Sequence, residues 1–306
     1  MLAVYGEILA DMIGKEQNGT LAYERYAGGA PFNVACACTR AGGKAGFTGC
    51  VGDDIIGRYL VEFSREQGLE LADISVLPDV NTTLAFVELS ADGERSFCFY
   101  RKGTADYKLQ QHTLAYIKDA DIVHLGSLML SEPEGVAFAD KAVDAVKKAG
   151  KKLSFDINYR NDIFPDGRAA KKIYAKYAEA ADIVKYSEEE LEMFTGMKGI
   201  DGINKLSRSD KLVCVTLGGN GSVYAIGGRV RTVPSIKVKP VDTTGAGDAF
   251  YGALLSKLDG KDFAALSDSE LYDIFRFANV AGALATTARG ALNSLPAKEE
   301  IEKYLN

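Results

Sequence analysis

Val241-Asp242-Thr243-Thr244-Gly245-Ala246-Gly247-Asp248-Ala249-Phe250 joins two kinds of periodicity. Upstream, Val230, Val233, Ile236 and Val238 read as extended chain; downstream, Phe250, Ala253, Leu254 and Leu258 recur at helical spacing. A strand therefore passes through a loop of small residues into a helix, with Asp248 in or beside the helix's first turn. Gly245, Ala246 and Gly247 let backbone N–H groups come close to an anion, and the positive end of the helix faces the same way. A carboxylate at that place repels phosphate but suits a base that takes a proton from a group about to receive one. It equally suits an aspartate capping an ordinary helix. The loop alone leaves both readings open.

Working outward, short apolar runs alternate with amphipathic helical patterns. Strands are expected at Ala3–Ile8, Ala45–Val51, Ile122–Leu125, Leu153–Ile157, Asp182–Lys185, Leu212–Leu217 and Ser222–Ile226, and helices at Pro31–Ala41, Ile55–Gln67, Pro133–Ala149, Arg168–Ala180 and Ser187–Phe194. Three more helices, Ala249–Leu258, Leu271–Thr287 and Lys298–Leu305, close the chain. That alternation predicts an α/β fold, a doubly wound and mostly parallel sheet with helices on both faces. Two stretches break it. Ile13 to Tyr26 is polar around Lys-Glu-Gln-Asn-Gly, and Thr82 to Arg101 holds two β-rich runs around Ala-Asp-Gly-Glu, a hairpin signature. Hairpins do not fit inside a parallel series, so these segments are expected to form a small β-layer able to cover a site as a lid. The expectation is one unit over 1–306, with a discontinuous lid from about 13–27 and 82–103.

Composition excludes several functions. A formal charge of −6 without a basic stripe argues against nucleic acid as a partner. Five cysteines, an odd number without C-x-x-C spacing, read as reduced thiols, and Cys36 and Cys38 as small helix residues rather than a metal pair. With two histidines, and His124 inside an apolar strand, a His-based metal site or a Ser-His-Asp triad is disfavoured. No basic leader and no membrane-length apolar run is visible, so a soluble cytoplasmic protein without membrane partners is expected. Neither G-x-G-x-x-G nor G-x-x-x-x-G-K-[ST] occurs where a dinucleotide or P-loop site requires it.

Gly28-Gly29-Ala30-Pro31-Phe32-Asn33-Val34-Ala35 is a second glycine turn feeding a helix, with Pro31 placed where its missing N–H costs nothing. Asn33 can donate and accept toward hydroxyls, and Asp11 can pair with hydroxyls just beyond the first strand. In order along the chain, Gly28–Ala35 and Asp242–Phe250 resemble the paired signatures of the ribokinase-like (PfkB-type) sugar kinase family. The resemblance covers essentially the whole chain. Within that family the chain is most similar to the fructokinases, through Gly28-Gly29-Ala30-Pro31, Phe99-Tyr100-Arg101-Lys102-Gly103 and Asp156-Ile157-Asn158-Tyr159-Arg160.

The resemblance implies ATP-dependent phosphorylation of a sugar's primary hydroxyl, D-fructose giving D-fructose 6-phosphate. Asp248 would be the base, with Gly245, Ala246 and Gly247 forming the anion hole. Asp11, Gly28, Gly29, Asn33, Phe99, Arg101 and Asn158 would hold the sugar, and Arg160 would reach the transferring phosphate. Lys185, Ser187, Thr216, Gly218, Gly219, Gly221 and Asn279 would line the nucleotide site; Ser187 stands where many members carry Asn. Glu190 would act on Mg2+ through water, or else belong to an acidic first helical turn. Asp242, Thr244, Ala285, Gly290 and Ser294 would form a K+-type site, largely through carbonyls. The alternation of Phe86, Val87, Phe97 and Phe99 would serve lid packing or a homodimer through the β-lid. Arg101 also suits a carboxylate, which keeps 2-keto-3-deoxygluconate as an alternative substrate. Ribose, tagatose phosphate and nucleosides use the same scaffold, and a non-catalytic sugar-binding homologue is the rival from another class.

Overall fold

Strand β1 (Leu2–Tyr5) sets the frame, because its alternate residues enter two different cores. Leu2 and Val4 pack into one apolar cluster, Ala3 and Tyr5 into the other. A strand buried on both faces reads as a continuous apolar run, which suits a parallel sheet covered by helices on both sides. The computed structural model describes residues 1–89, 95–164 and 166–305, with the side chains of 88–89 and 95–97 outside the description.

From β1 the chain forms β2 (Leu9–Gln17), β3 (Thr20–Gly28), α1 (Ala30–Arg40), β4 (Ala45–Gly52), α2 (Ile55–Arg65) and β5 (Leu71–Leu77). Strands β6 (Leu84–Leu89), β7 (Arg95–Tyr100) and β8 (Ile122–Leu125) follow, then α3 (Pro133–Lys148), β9 (Lys152–Asp156), α4 (Gly167–Ala180) and β10 (Ile183–Ser187). The remainder is α5 (Glu188–Thr195), α6 (Gly199–Leu206), β11 (Leu212–Thr216), β12 (Ser222–Ile226), β13 (Arg229–Val233), α7 (Ala246–Leu258), α8 (Asp268–Ala285) and α9 (Lys298–Glu302).

Nine strands make the main sheet, in the order β13-β12-β11-β10-β9-β8-β1-β4-β5. The seven from β11 to β5 run parallel, and β12 and β13 add an antiparallel edge. The chain leaves β1 toward β4 on one side and later fills β8, β9 and β10 on the other. A topological switch therefore lies between β1 and β8, where open α/β sheets leave a crevice beyond the strands' carboxyl ends. One face carries α1, α7 and α8, the other α3 and α4. Helices α1 and α7 lie so close that a Cβ on Gly252 would come within 2.5 Å of the Ala37 Cβ and the Val34 carbonyl.

A second sheet, β3-β2-β6-β7, stands off the first. Its β2–β3 hairpin closes on Asn18 (φ 53) and Gly19 (φ 74), two positive angles that match the twist of the flanking strands. The Ala-Asp-Gly-Glu turn expected between β6 and β7 falls outside the described residues. The strand expected at Ala3–Ile8 stops at Tyr5, and Gly6-Glu7-Ile8 crosses between the two sheets. Asp11 consequently lies inside β2, not in a loop beyond the first strand. Strand β5 and helix α6 were not anticipated from the sequence. Among the described residues no helix is long and apolar enough to cross a membrane.

Candidate active site

The loop Val241–Gly245 is braced before α7 begins. Asp242 Oδ1 accepts the Thr244 N–H at 2.7 Å, its Oδ2 accepts the Gly290 N–H at 3.1 Å, and the Val241 N–H bonds the Thr286 carbonyl at 2.7 Å. Gly245 caps the helix at φ 76, and a Cβ there would fall 2.6 Å from that of Ala291, so glycine is required twice over. The Ala249 N–H bonds the Gly245 carbonyl at 2.8 Å, and the N–H groups of Gly247 and Asp248 before it have no acceptor in their own helix. Donors so placed at a helix's positive end are suited to an anion.

Two cavities meet at this turn. The first, about 300 Å³, lies at the sheet's switch point and has Asp248 in its wall. The small sheet supplies Leu9, Asp11 and Phe99 to it, and the start of α1 supplies Gly29 and Asn33. Register explains the first group: Asp11 pairs with Ala85 and Ala85 with Phe99, so these residues stand in one row across the sheet. Asn158 and Arg160 come from the loop after β9, and Lys185 from β10. Asn158 holds φ 38, a left-handed angle that asparagine tolerates better than most residues. The second cavity, about 510 Å³, is lined by Thr216, Gly218, Gly219, Gly221 and Asn279, with Ile236, Val238 and Phe250 as apolar walls. Thr243 and Gly247 line both cavities. Ala246 belongs to the second.

Electrostatics in the first cavity are dominated by burial. Asp248 is pushed up to about 6, chiefly by desolvation, with the Asp156 charge adding to it. The Asn33 hydrogen bond opposes the rise, as do Lys185 and Arg160. Asn33 Nδ2 donates to Asp248 Oδ2 at 2.8 Å, which leaves the buried Asn33 Oδ1 without a partner. Lys185 Nζ lies 2.9 Å from both oxygens of Asp156, and both side chains are buried. Burial pulls the lysine's pKa down, but Asp156, Glu190 and Asp248 outweigh it, so the ammonium stays charged.

Several expected site residues sit elsewhere. Arg101 does not line the cavity: its Nε donates to Asp106 Oδ2 at 2.7 Å, and its terminal nitrogens bond Ser131 Oγ and the Leu128 carbonyl. Each nitrogen of that guanidinium is already engaged inside the protein, and the side chain is not presented to a ligand in either cavity. Gly28 ends β3 against the Asp11 carboxylate and lines neither cavity.

Ser187 caps α5, accepting the Glu190 N–H at 3.2 Å, and Glu190 returns the bond to the Ser187 N–H at 2.7 Å. Glu190 Oε1 also accepts the Tyr159 N–H at 2.7 Å, and burial raises its pKa. Neither residue lines the second cavity, and Lys185 lines only the first. Ser187→Ala is expected to lower unfolding free energy by about 1 kcal/mol while the ATP KM moves less than about threefold. Denaturant melts and initial rates measure both; a large rise in ATP KM with unchanged stability would reverse the assignment. Of the other expected cation residues, Thr244 lines the first cavity, Ala285 ends α8, and the Ser294 N–H bonds the Gly290 carbonyl at 3.2 Å. Among the described residues no group of three His, Cys, Asp or Glu side chains forms a metal cluster.

Sequence reading overlooked Glu7, Leu128 and Thr243. Glu7 had a visible signal, a lone charge inside Val4-Tyr5-Gly6-Glu7-Ile8-Leu9. It is 2% exposed, lines the first cavity, and leaves Oε2 unpartnered. His124, in contrast, is a core residue, bonded to Ser154 Oγ at 3.1 Å and held down to about 3 by burial.

Comparison with known proteins agrees with this geometry. Residues 1–298 match the pfkB family carbohydrate kinase profile. Fructokinase-1 of Zea mays is 41% identical over 98% of this chain and 96% of its own length. The ATP-bound fructokinase of Xylella fastidiosa superposes with a TM-score of 0.89 at 31% identity, over 99% of this chain and 97% of that one. Vibrio cholerae O395 fructokinase, with fructose, ADP and calcium bound, gives 0.87 at 32%, over 100% and 98%. Two cavities joined at a helix N-terminus, and a profile match over nearly the whole length, lead to one conclusion: the chain belongs to the pfkB family of carbohydrate kinases.

Proposed function

We propose that this protein transfers the γ-phosphoryl of ATP to the 6-hydroxyl of D-fructose. The observation that carries the reading is the wall shared by the two cavities. Thr243 and Gly247 belong to both, so a sugar on one side and a nucleotide on the other meet only at the start of α7. The fructose-bound and ATP-bound relatives support this choice of ligands.

In the proposed reaction the sugar O6 attacks the γ-phosphorus, the bond to the β–γ bridging oxygen breaks, and ADP leaves. Asp248 takes the O6 proton. With its pKa near 6, the carboxylate is ionised at neutral pH and more basic than an ordinary aspartate. The N–H groups of Gly247 and Asp248 and the ammonium of Lys185 stabilise charge on the transferring group, and Arg160 faces it from the exposed side. Asn33 Oδ1, unpartnered, accepts a sugar hydroxyl while Nδ2 holds Asp248 in place. Asp11 and Gly29 take further hydroxyl contacts, and Phe99 covers the apolar side. Thr216, Gly218, Gly219 and Gly221 follow the ATP phosphates and ribose, and Asn279 flanks the base.

Magnesium fits as an ion carried with the nucleotide rather than held in an all-protein cage, since Mg2+ commonly takes few carboxylates and keeps waters. Glu190 lines neither cavity and both of its oxygens accept backbone N–H groups, so a bridging water would have to link it to the ion, which would neutralise charge on the phosphates. A monovalent cation beside the Asp242 loop, closure of the small sheet as a lid of one folded unit, pairing of two such lids in a homodimer, and a cytoplasmic setting belong to the same reading.

A panel of D-fructose, 2-keto-3-deoxygluconate and D-ribose with coupled ADP detection tests the substrate. Fructose should give the largest kcat/KM. The engagement of Arg101 by Asp106 removes the feature that favoured the keto acid. A second test follows from Asp248. Its base form is lost as pH falls, so kcat/KM should drop below about pH 6. Asn33→Leu removes the hydrogen bond that lowers this pKa, so the acid limb should move to higher pH. A limb unmoved in that variant argues against Asp248 as the titrating base.

A further inference from the structure

Glu7 occupies the three-residue crossing between the main and small sheets, at the topological switch point. Its carboxyl is wedged beside Gly126, where a Cβ would stand 3.0 Å from Glu7 Oε2. Oε2 is buried without a hydrogen-bond partner, although the residue lines the cavity that also holds Asp248 and Asn33. An ionised carboxylate in that position would leave an unpaired anionic oxygen out of water, at a cost of several kcal/mol. A neutral carboxylic acid avoids that cost and brings an O–H donor.

Resting on the kinase reading above, we infer that Glu7 binds the sugar as a protonated acid, donating its O–H to a sugar hydroxyl. It is thus a specificity-determining residue for the acceptor. The surrounding groups agree. Desolvation raises the carboxyl to about 8, and the charges of Asp106 after β7 and Asp248 on α7 push the same way. Its own backbone N–H and Arg101, at the end of β7, oppose them, and Tyr174 on α4 faces it as a neutral phenol. Glu7 and Asn33 form a complementary pair: one offers a proton to the sugar, and Asn33 Oδ1 accepts one. A buried neutral acid is a selective donor, because an analogue lacking the matching oxygen leaves the site's polar atoms unpaired.

The sign follows from the raised pKa. The donor is present below pH 8 and lost above it, whereas the base Asp248 is lost below pH 6. Fructose affinity of the wild-type protein, measured by calorimetry without nucleotide, should be flat near pH 7. Above pH 8 it should weaken toward about tenfold per pH unit. Glu7→Gln keeps a neutral donor of similar shape, so the fructose KM of that variant should not depend on pH between 7 and 9.5, while its acid limb near 6 remains. Glu7→Leu should raise the fructose KM at least about tenfold with little change in ATP KM. Wild-type affinity that stays flat to pH 9.5, or a Glu7→Gln curve that overlays wild type, overturns the role of Glu7. A wild-type protein that phosphorylates no sugar in the panel overturns the kinase reading instead.

Discussion

Asp248→Asn is expected to lower kcat for fructose by about 10²–10⁴-fold while ATP affinity changes less than about threefold. The substitution is nearly isosteric, and the amide oxygen can still accept from Asn33 Nδ2, so the geometry of the cavity survives. What disappears is the proposed acceptor for the O6 proton. Stability supplies a control whose sign is fixed. The native pKa of Asp248 lies above its ordinary value, so its contribution to stability is present at low pH and lost as pH rises through about 6. Asparagine does not titrate, so the variant's thermal midpoint at pH 8 should equal or exceed that of wild type. Turnover within a few-fold of wild type would sink the assignment of the base. Lost turnover with a lower midpoint would point to disrupted packing instead.

Lys185→Met carries the largest expected effect on stability. Lys185 and Asp156 face each other across β10 and β9 in register, and Nζ is 2.9 Å from each carboxylate oxygen. Removing one partner of a buried pair strands the other as an uncompensated charge, at a cost of about 3–5 kcal/mol. Methionine leaves Asp156 in that state. It also removes the cation that holds down Asp248 and Glu190, so the acid limb of kcat/KM should climb. The double variant Lys185→Met/Asp156→Leu separates folding from catalysis. Urea melts should show most of the stability regained, while turnover stays low because no ammonium remains beside the phosphoryl path. A single variant that loses under about 1 kcal/mol would contradict the burial argument. An active double variant would remove Lys185 from the chemistry.

Much of this site could be read from the chain because its central parts are local. The loop before α7 and the turn before α1 need only neighbouring residues to show a strand, a small-residue turn and a helix. The alternation of strands and helices likewise reveals the main sheet, because each strand is buried on both faces. Long-range partners account for what was hidden. The family resemblance alone places Arg101 at the sugar, but Asp106 claims its guanidinium after a turn that the motif does not reveal. Ser187 lies where a nucleotide contact was expected, and α5 uses it as a cap. Glu7 is hidden in an apolar run that reads as one strand, Ala3–Ile8; only the departure of the chain to the small sheet exposes it. Strand β2 begins earlier than its polar stretch because Ala10 to Ile13 pair with β6, far along the sequence.

The contact between α1 and α7 has a consequence for how this protein can be redesigned. Asn33 and Asp248 sit near the starts of two helices in close contact at Gly252, so Asp248 and its hydrogen-bond donor are carried by one packed pair. The lining residues Asp11 and Phe99 on the other side of the cavity ride on the small sheet instead. Exchanging segments 9–28 and 84–100 for those of a relative with different taste in sugars would therefore change Leu9, Asp11 and Phe99 while leaving Glu7, Asn33 and Asp248 in place. On the proposed reading, part of acceptor choice rides on the small sheet, which the chain joins to the main body through Gly6-Glu7-Ile8, the glycine turn that opens α1, and the segments before β6 and after β7.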